Sequence, residues 1–234
     1  MNNTTLQIKF RQRLNKLASN DYDNIECWQI VESFNKAQIE WCRRQLHGSN
    51  PTRTSDEQTK RRIDDLQILL TTQPITGSMQ SEYFLGTNFP NNYMEYKRVD
   101  TDATTECCKK DPRSMTVYLA EEANVDLIMR DPLKRPDFEW GETFCTLANN
   151  TIRIYKREFD VVNPRITFYR KPRNIEIANC SDPYTNNISA ADIESEFKDD
   201  IVEVIIDEAC AIIAGDINDA NNYIRGPQQA EKNN

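Results

Sequence analysis

The sequence predicts an α+β fold: a helical bundle with an inserted small antiparallel β-rich part and an extended C-terminal tail. Apolar residues recur at helical spacing in the first 74 residues and again in residues 190–216. Between them, short runs alternate or are rich in β-branched and aromatic residues. We therefore predict three N-terminal helices over 1–74, a β-rich region over 75–189, a long C-terminal helix over 190–216 that completes the bundle, and a tail over 217–234.

The longest N-terminal helix is predicted from Asp23 to Leu46, a stretch without Gly or Pro. Asp23 and Glu26 have the three-residue spacing of a capping box. At about 100° per residue the apolar side chains form two stripes, which are Cys27, Ile30, Val31, Phe34, Ala37 and Trp41, and Trp28, Ile39, Cys42 and Leu46. Two stripes indicate either one partner in the chain and another in a neighbouring copy, or a helix buried deep in its own domain.

Two shorter N-terminal helices flank this one. The first has Thr4 or Thr5 as its cap, and its buried face is predicted to be Leu6, Phe10, Leu14 and Leu17. The third begins at a capping box of Ser55 and Gln58 and ends at Pro74, and its apolar face is Ile63, Leu66 and Leu70. The C-terminal helix is predicted from Ala190 to Gly215, with its apolar face formed by Ile193, Phe197, Ile201, Val204, Ile205 and Ile212.

Six short segments between the helices have strand character. They begin near residues 82, 93, 115, 143, 151 and 165. Asn149-Asn150 is predicted to be the turn between the fourth and fifth, and residues 121–129 a short helix. The last three segments predict a small antiparallel sheet.

Composition excludes several classes of protein. The 234 residues contain no apolar run near the ~20 that a membrane span needs, and the N-terminus has no secretory signal sequence. The seven cysteines form no CxxC, so we expect reduced thiols from a reducing compartment. Residues 180–234 carry three Lys/Arg against twelve Asp/Glu. This acidic quarter repels phosphate and argues against sequence-specific nucleic-acid binding.

No pattern of catalytic or metal-binding residues stands out, so we predict no catalytic site, no cofactor and no metal. The single histidine, His47, falls in a predicted loop, and Cys107-Cys108 lacks further ligands at usable spacing. The C-terminal acids point in several directions and predict a solvated face rather than a divalent-cation site; they are Asp192, Glu194, Glu196, Asp199, Asp200, Glu203, Asp207 and Glu208. The basic run from Tyr169 to Arg173 is either a contact for an acidic partner or a plain strand end.

Three blocks of the sequence resemble the head-to-tail connector (adaptor, or ring) proteins of tailed bacteriophages. The blocks are Ile30–Trp41, Ile166–Pro172 and the segment from Phe197 to Asp216, followed by a polar tail rich in asparagine. They are most similar to the portal-adjacent ring proteins of short-tailed, crAss-like phages. The resemblance covers about half of the chain.

The resemblance implies a structural virion protein without enzyme activity, made in the host cytoplasm. It implies a homo-oligomeric ring, a dodecamer, that joins the portal to the tail and other ring proteins, with DNA passing through its channel. Tyr223, Ile224 and Arg225 combine an aromatic, an aliphatic and a cationic side chain, and we predict that they anchor the tail to the portal. The alternative is a soluble intracellular scaffold or regulatory protein that binds a partner through its acidic C-terminal helix.

Overall fold

The computed structural model describes residues 1–14, 25–47, 63–105, 112–184 and 186–216. The chain divides into two compact units. Unit 1 consists of Met1–Ile68 and Pro172–Asn234, and unit 2 consists of Leu69–Lys171. The boundaries of the β-rich region were predicted at residues 74/75 and 189/190, whereas those of unit 2 lie at 68/69 and 171/172.

Unit 1 is built on three helices: α1 (Asn3–Leu14), α2 (Cys27–His47) and α4 (Asp199–Asp216). Both α1 and α2 pack against α4. The predicted apolar face of α1 is buried at Leu6, Phe10 and Leu14, while Leu17 lies outside the described residues. In α2 the first predicted stripe supplies the core, with Phe34, Ala37 and Trp41 all buried.

The N-termini of α1 and α2 use different caps from those predicted. The side chain of Asn2, rather than Thr4 or Thr5, accepts the backbone N–H of Thr5 at 2.7 Å. At α2 the backbone N–H of Glu26 donates to Oε1 of Gln29 at 3.0 Å. This is one half of a capping box set three residues after the predicted one, whose first member, Asp23, lies outside the described residues.

A disulfide joins the start of α2 to the segment that precedes α4. Cys27 and Cys180 are bonded, with their Cα atoms 5.8 Å apart and a sequence separation of 153. The expectation that all cysteines are reduced is therefore wrong for this pair. A pattern search misses such a bridge, because its two cysteines are brought together only when the chain between them has folded.

Unit 2 contains eight strands among its described residues, and they form one mixed sheet. The strands are β1 (Leu70–Pro74), β2 (Gly77–Met79), β3 (Tyr83–Gly86), β4 (Tyr93–Thr104), β5 (Arg113–Leu119), β6 (Glu142–Ala148), β7 (Thr151–Tyr155) and β8 (Asp160–Arg170). Their order is β1-β8-β4-β5-β6-β7-β3-β2. Only β5 and β6 pair in parallel, and a crossover that contains a short helix, α3 (Val125–Arg130), joins them.

The sheet curls strongly, because its two outermost strands are neighbours in the sequence. Two residues, Ile75 and Thr76, lead from β1 at one edge to β2 at the other. Glycines allow the close approach at this corner. A Cβ on Gly77 would lie 1.9 Å from the carbonyl oxygen of Leu85, and one on Gly86 would lie 2.3 Å from the Ile75 side chain. The concave interior is filled by apolar side chains, among them Phe84, Ile154, Phe159 and Phe168.

The predicted fold class, a helical bundle with a small antiparallel insert and a long C-terminal helix, is wrong. The curled eight-stranded sheet is mixed rather than antiparallel, and it is too large to be a small insert. The six predicted strand segments are all present as β3 to β8, and the Asn149-Asn150 turn has φ of 50° and 55°, the left-handed conformation that a tight hairpin needs. Strands β1 and β2 and the parallel pairing of β5 with β6 were not predicted.

Two predicted helices have other bounds than expected, although the predicted start of the third, at Ser55, lies outside the described residues. The third was predicted to continue to Pro74, but helix ends at residue 66, a 3₁₀ turn spans Gln67–Leu69, and β1 follows. Leu70–Pro74 pair with β8 as a strand, so they do not continue the helix. The C-terminal helix begins at Asp199 rather than Ala190, because residues 176–193 form bridges between extended segments instead.

We predict that the Cys27–Cys180 bridge stabilises unit 1. The Cys27→Ser/Cys180→Ser double variant should lose up to about 5 kcal/mol of unfolding free energy, the chain-entropy value for a loop of this length. Denaturant unfolding followed by tryptophan fluorescence measures the loss. Adding a reductant to the native protein should reproduce it and should leave the double variant unchanged. Equal unfolding midpoints for the native protein with and without reductant would contradict the bridge.

Candidate partner-binding groove

Several residues singled out in the sequence lie elsewhere than expected or outside the described residues. Tyr223, Ile224 and Arg225, the predicted portal anchor, lie outside, as do Cys107 and Cys108. His47 is the last residue of α2 rather than a loop residue.

A groove of about 700 Å³ lies in unit 1 between α2 and residues 174–190. Trp28, Val31, Glu32 and Asn35 form its helical wall. Their spacing of three and four places them on one face of the helix. The opposite wall includes Ile175, Ile177, Cys180, Tyr184 and Ile188. We call this surface the unit 1 groove.

The two tryptophans of α2 lie in different environments, as predicted. Trp41 is 1% exposed and packs edge-to-face against Phe197, with ring centroids 5.3 Å apart. Trp28 is half-buried at the groove, where it packs edge-to-face against Tyr184 at 5.8 Å. The prediction that one of them lies near a subunit boundary stays a prediction.

Local turns and the disulfide shape the second wall. Asn179 and Asn186 have φ of 61° and 54°, a left-handed conformation that asparagine tolerates. Asp182 accepts the backbone N–H of Tyr184 at 2.9 Å. Cys180, a lining residue, is bonded to Cys27 beside Trp28, so a covalent link holds the two walls together.

The groove combines apolar side chains with negative charge. Tyr184 and Ile188 are 75% and 66% exposed, although both are large and apolar. The charged residues that the structure describes in the lining are all acidic, namely Glu32, Glu176 and Asp182. A partner that fits this chemistry presents a cation beside an aromatic or aliphatic side chain.

The solvated acidic face that the sequence predicted is present at Asp192, Glu194, Asp199 and Asp200, which are exposed, but not at the acids in the middle of α4. Asp207 and Glu208 are buried. Asp207 pairs with Arg13 at 2.9 Å, and Glu208 pairs with Arg44. Glu203 pairs with both Lys9 and Arg13. These carboxylates fasten α1 and α2 to α4.

The carboxyl group of Glu208 has a strongly raised pKa. Burial raises its pKa to about 7; Arg44 opposes the rise and Glu40 adds to it. Burial outweighs the ion pair because the side chain of Arg44 is 40% exposed, so solvent screens its charge. In addition, Oε2 of Glu208 is buried without a hydrogen-bond partner among the described residues.

The buried thiols are poor nucleophiles. Burial raises the pKa of Cys42 to about 12 and that of Cys145 to about 11, and it raises the pKa of Cys210 further. A thiol reacts through its thiolate, so these three residues are inert near neutral pH.

A second exposed apolar surface lies in unit 2. Tyr118, Leu119, Ile128 and Leu133 line a cavity of about 530 Å³, with Lys134 and Glu142 at its edge. Leu133 is 67% exposed, and so is the nearby α3 residue Leu127 at 68%. Large apolar side chains exposed together mark a contact surface more often than isolated ones do.

Within the described ranges, no group of three or more His, Cys, Asp or Glu side chains is placed to hold a metal ion. None of the helices in those ranges has the length and apolar character that a membrane span requires. No protein-family profile and no curated protein sequence matches the chain.

We predict that Glu208 makes the stability of unit 1 depend on pH. The folded protein keeps a proton that the unfolded chain releases near its ordinary pKa of 4.5. Protonated Glu208 therefore contributes its full stabilisation below about pH 4.5, and this contribution is lost as the pH rises through about 7. Glu208→Gln should unfold with a smaller change in free energy between pH 5 and 8 than the native protein, as measured by urea titrations. Glu194→Gln, at an exposed acid, is the control and should retain the native pH dependence.

We also predict that the two tryptophans differ in their contribution to stability. Trp41→Ala should cost about 3–5 kcal/mol, the range for removing a buried aromatic side chain. Trp28→Ala should cost much less, because its side chain is half-buried at the groove. Denaturant unfolding followed by circular dichroism gives both values. Equal losses would show that Trp28 belongs to the core rather than to a binding surface.

Proposed function

We propose that the chain is a structural subunit of a ring that joins a bacteriophage portal to the tail and forms part of the DNA channel. It assembles as a homo-oligomer, a dodecamer, and contacts the portal and other ring or tail proteins of the virion. It has no catalytic role.

The observation that carries this proposal is the presence of two different exposed apolar surfaces on one chain. One is the unit 1 groove, and the other is the surface of unit 2 around Leu127 and Leu133. A closed ring of identical subunits uses head-to-tail contacts, in which each subunit presents two non-identical surfaces.

The sequence blocks that carry the resemblance also support it. The block Ile30–Trp41 lies in α2, and most of the block from Phe197 to Asp216 forms α4. These two helices pack against each other, and Trp41 of the first block contacts Phe197 of the second. The two blocks therefore form one packed pair.

The distribution of charge is compatible with a channel that does not bind DNA tightly. Asp207 and Glu208 are buried and paired, so they do not line a channel. Glu194 and Asp200 are exposed and remain candidates to face DNA. Exposed carboxylates repel phosphate and keep the polymer from adhering.

The alternative, a scaffold or regulatory protein that uses its acidic C-terminal helix, has less support. Helix α4 is buried along most of its length by α1 and α2. Its central acids are engaged by Lys9, Arg13 and Arg44 within unit 1. Little of this helix is left for a partner.

We predict that the tail, with Tyr223, Ile224 and Arg225, anchors the subunit to the portal. A chain cut after Gly215 should keep near-native helix content but lose affinity for a purified portal ring. Tyr223→Ser/Ile224→Ser in the full chain should reproduce much of that loss, since both remove the apolar part of the anchor. Size-exclusion chromatography of the mixtures measures it, with Ile8→Ser, an exposed residue of α1, as the control. Undiminished portal binding by both variants would contradict the anchor.

A further inference from the structure

The unit 1 groove has the features of a site that accepts a short peptide segment. It is open and holds two large apolar side chains that are mostly exposed, Tyr184 and Ile188. The Cys27–Cys180 bridge ties its walls together, so little ordering is needed before a segment binds. Its volume of about 700 Å³ is that of a site for a few side chains.

The charge of the groove restricts what fits. Among the residues that the structure describes, its charged lining residues are acidic and none is Lys or Arg. The chain itself contains a segment of matching chemistry. Residues 217–234 have one aromatic residue, Tyr223, followed directly by Ile224 and then by the cation Arg225.

The direction of α4 separates this segment from the groove of its own chain. Helices α1 and α4 run parallel, because Lys9 pairs with Glu203 and Arg13 pairs with Asp207. The start of α1 lies at the groove, where the Asn3 side chain donates to the carbonyl of the lining residue Glu176 at 2.8 Å. The end of α4 therefore lies away from the groove.

The length of chain beyond α4 favours a groove on another copy. Tyr223 follows Asp216 by seven residues, which span at most about 25 Å when fully extended. The distance to be covered is about the length of α4, 18 residues or roughly 27 Å, plus the width of the groove. The segment of the same chain could not span this distance even when fully extended, whereas that of a neighbouring copy has no such constraint.

We propose that the unit 1 groove binds Tyr223-Ile224-Arg225 of a neighbouring copy of the chain. Tyr223 and Ile224 contact Trp28, Tyr184 and Ile188, and Arg225 lies among the groove carboxylates. The inference rests on the proposed function in one respect, that copies of the chain lie side by side. Tyr223-Ile224-Arg225 cannot contact a portal while it is bound in a neighbouring groove. The portal and the unit 1 groove therefore compete for this segment.

A complementation experiment on full-length chains tests this pairing. One variant loses the anchor (Tyr223→Ser/Ile224→Ser), and the other loses the groove contacts (Tyr184→Ala/Ile188→Ser). Each alone should self-associate about tenfold or more weakly than the native chain in sedimentation velocity. An equimolar mixture should associate again through its one intact anchor and one intact groove, giving a two-chain species. Ile8→Ser should behave as native, and a retained Cys27–Cys180 bridge, checked by mass spectrometry, shows that the groove variant is folded.

Several results would overturn the inference: a native chain that stays monomeric, an anchor variant that associates normally, or a mixture that does not recover. Portal binding of the same chains separates this inference from the proposed function. Normal self-association of the anchor variant, with native portal binding intact, would refute the groove contact alone. Complementation without any portal binding by the native chain would support the groove contact and refute the proposed function.

Discussion

Unit 1 depends on the pairing of buried carboxylates in α4 with cations from α1 and α2. Asp207 and Glu208 are 6% and 5% exposed, and each faces an arginine from a different helix. Removing Arg13 would leave Asp207 as an uncompensated buried charge, which costs about 3–5 kcal/mol. The pairs therefore specify which helices pack on α4 and in which direction. That direction also determines where the chain leaves α4.

Much of the local structure was predictable because it depends on short-range patterns. The spacing of Leu6, Phe10 and Leu14 predicted the buried face of α1, and six strands followed from alternating or β-branched runs. What failed depends on distant pairing. Leu70 continues the helical spacing of Ile63 and Leu66, but pairing with Tyr169 of β8 makes it the first residue of a strand. The fold class was wrong for this reason.

The groove was not predictable, because its second wall has no regular secondary structure. Residues 174–190 are held by asparagine turns, isolated bridges and a bond to a cysteine 153 residues away. One signal was present in the sequence, since Trp28 lies off the main apolar stripe of α2. Trp28 contacts Tyr184 at the groove, so this part of the second stripe faces the groove. Cys42 of the same stripe is instead buried in the core. Asp207 and Glu208 were wrongly predicted to be solvated because their arginine partners lie on other helices.

We propose that this chain forms a ring through two different surfaces, with the unit 1 groove of one subunit in contact with part of the next subunit. Electron microscopy of the purified full-length chain at assembly concentrations tests the claim most directly, because averaged top views show rotational symmetry without any assumption about partners. We expect closed rings with a central opening and twelve equivalent subunits. Particles that remain single chains, or that form only two-fold dimers, would contradict it.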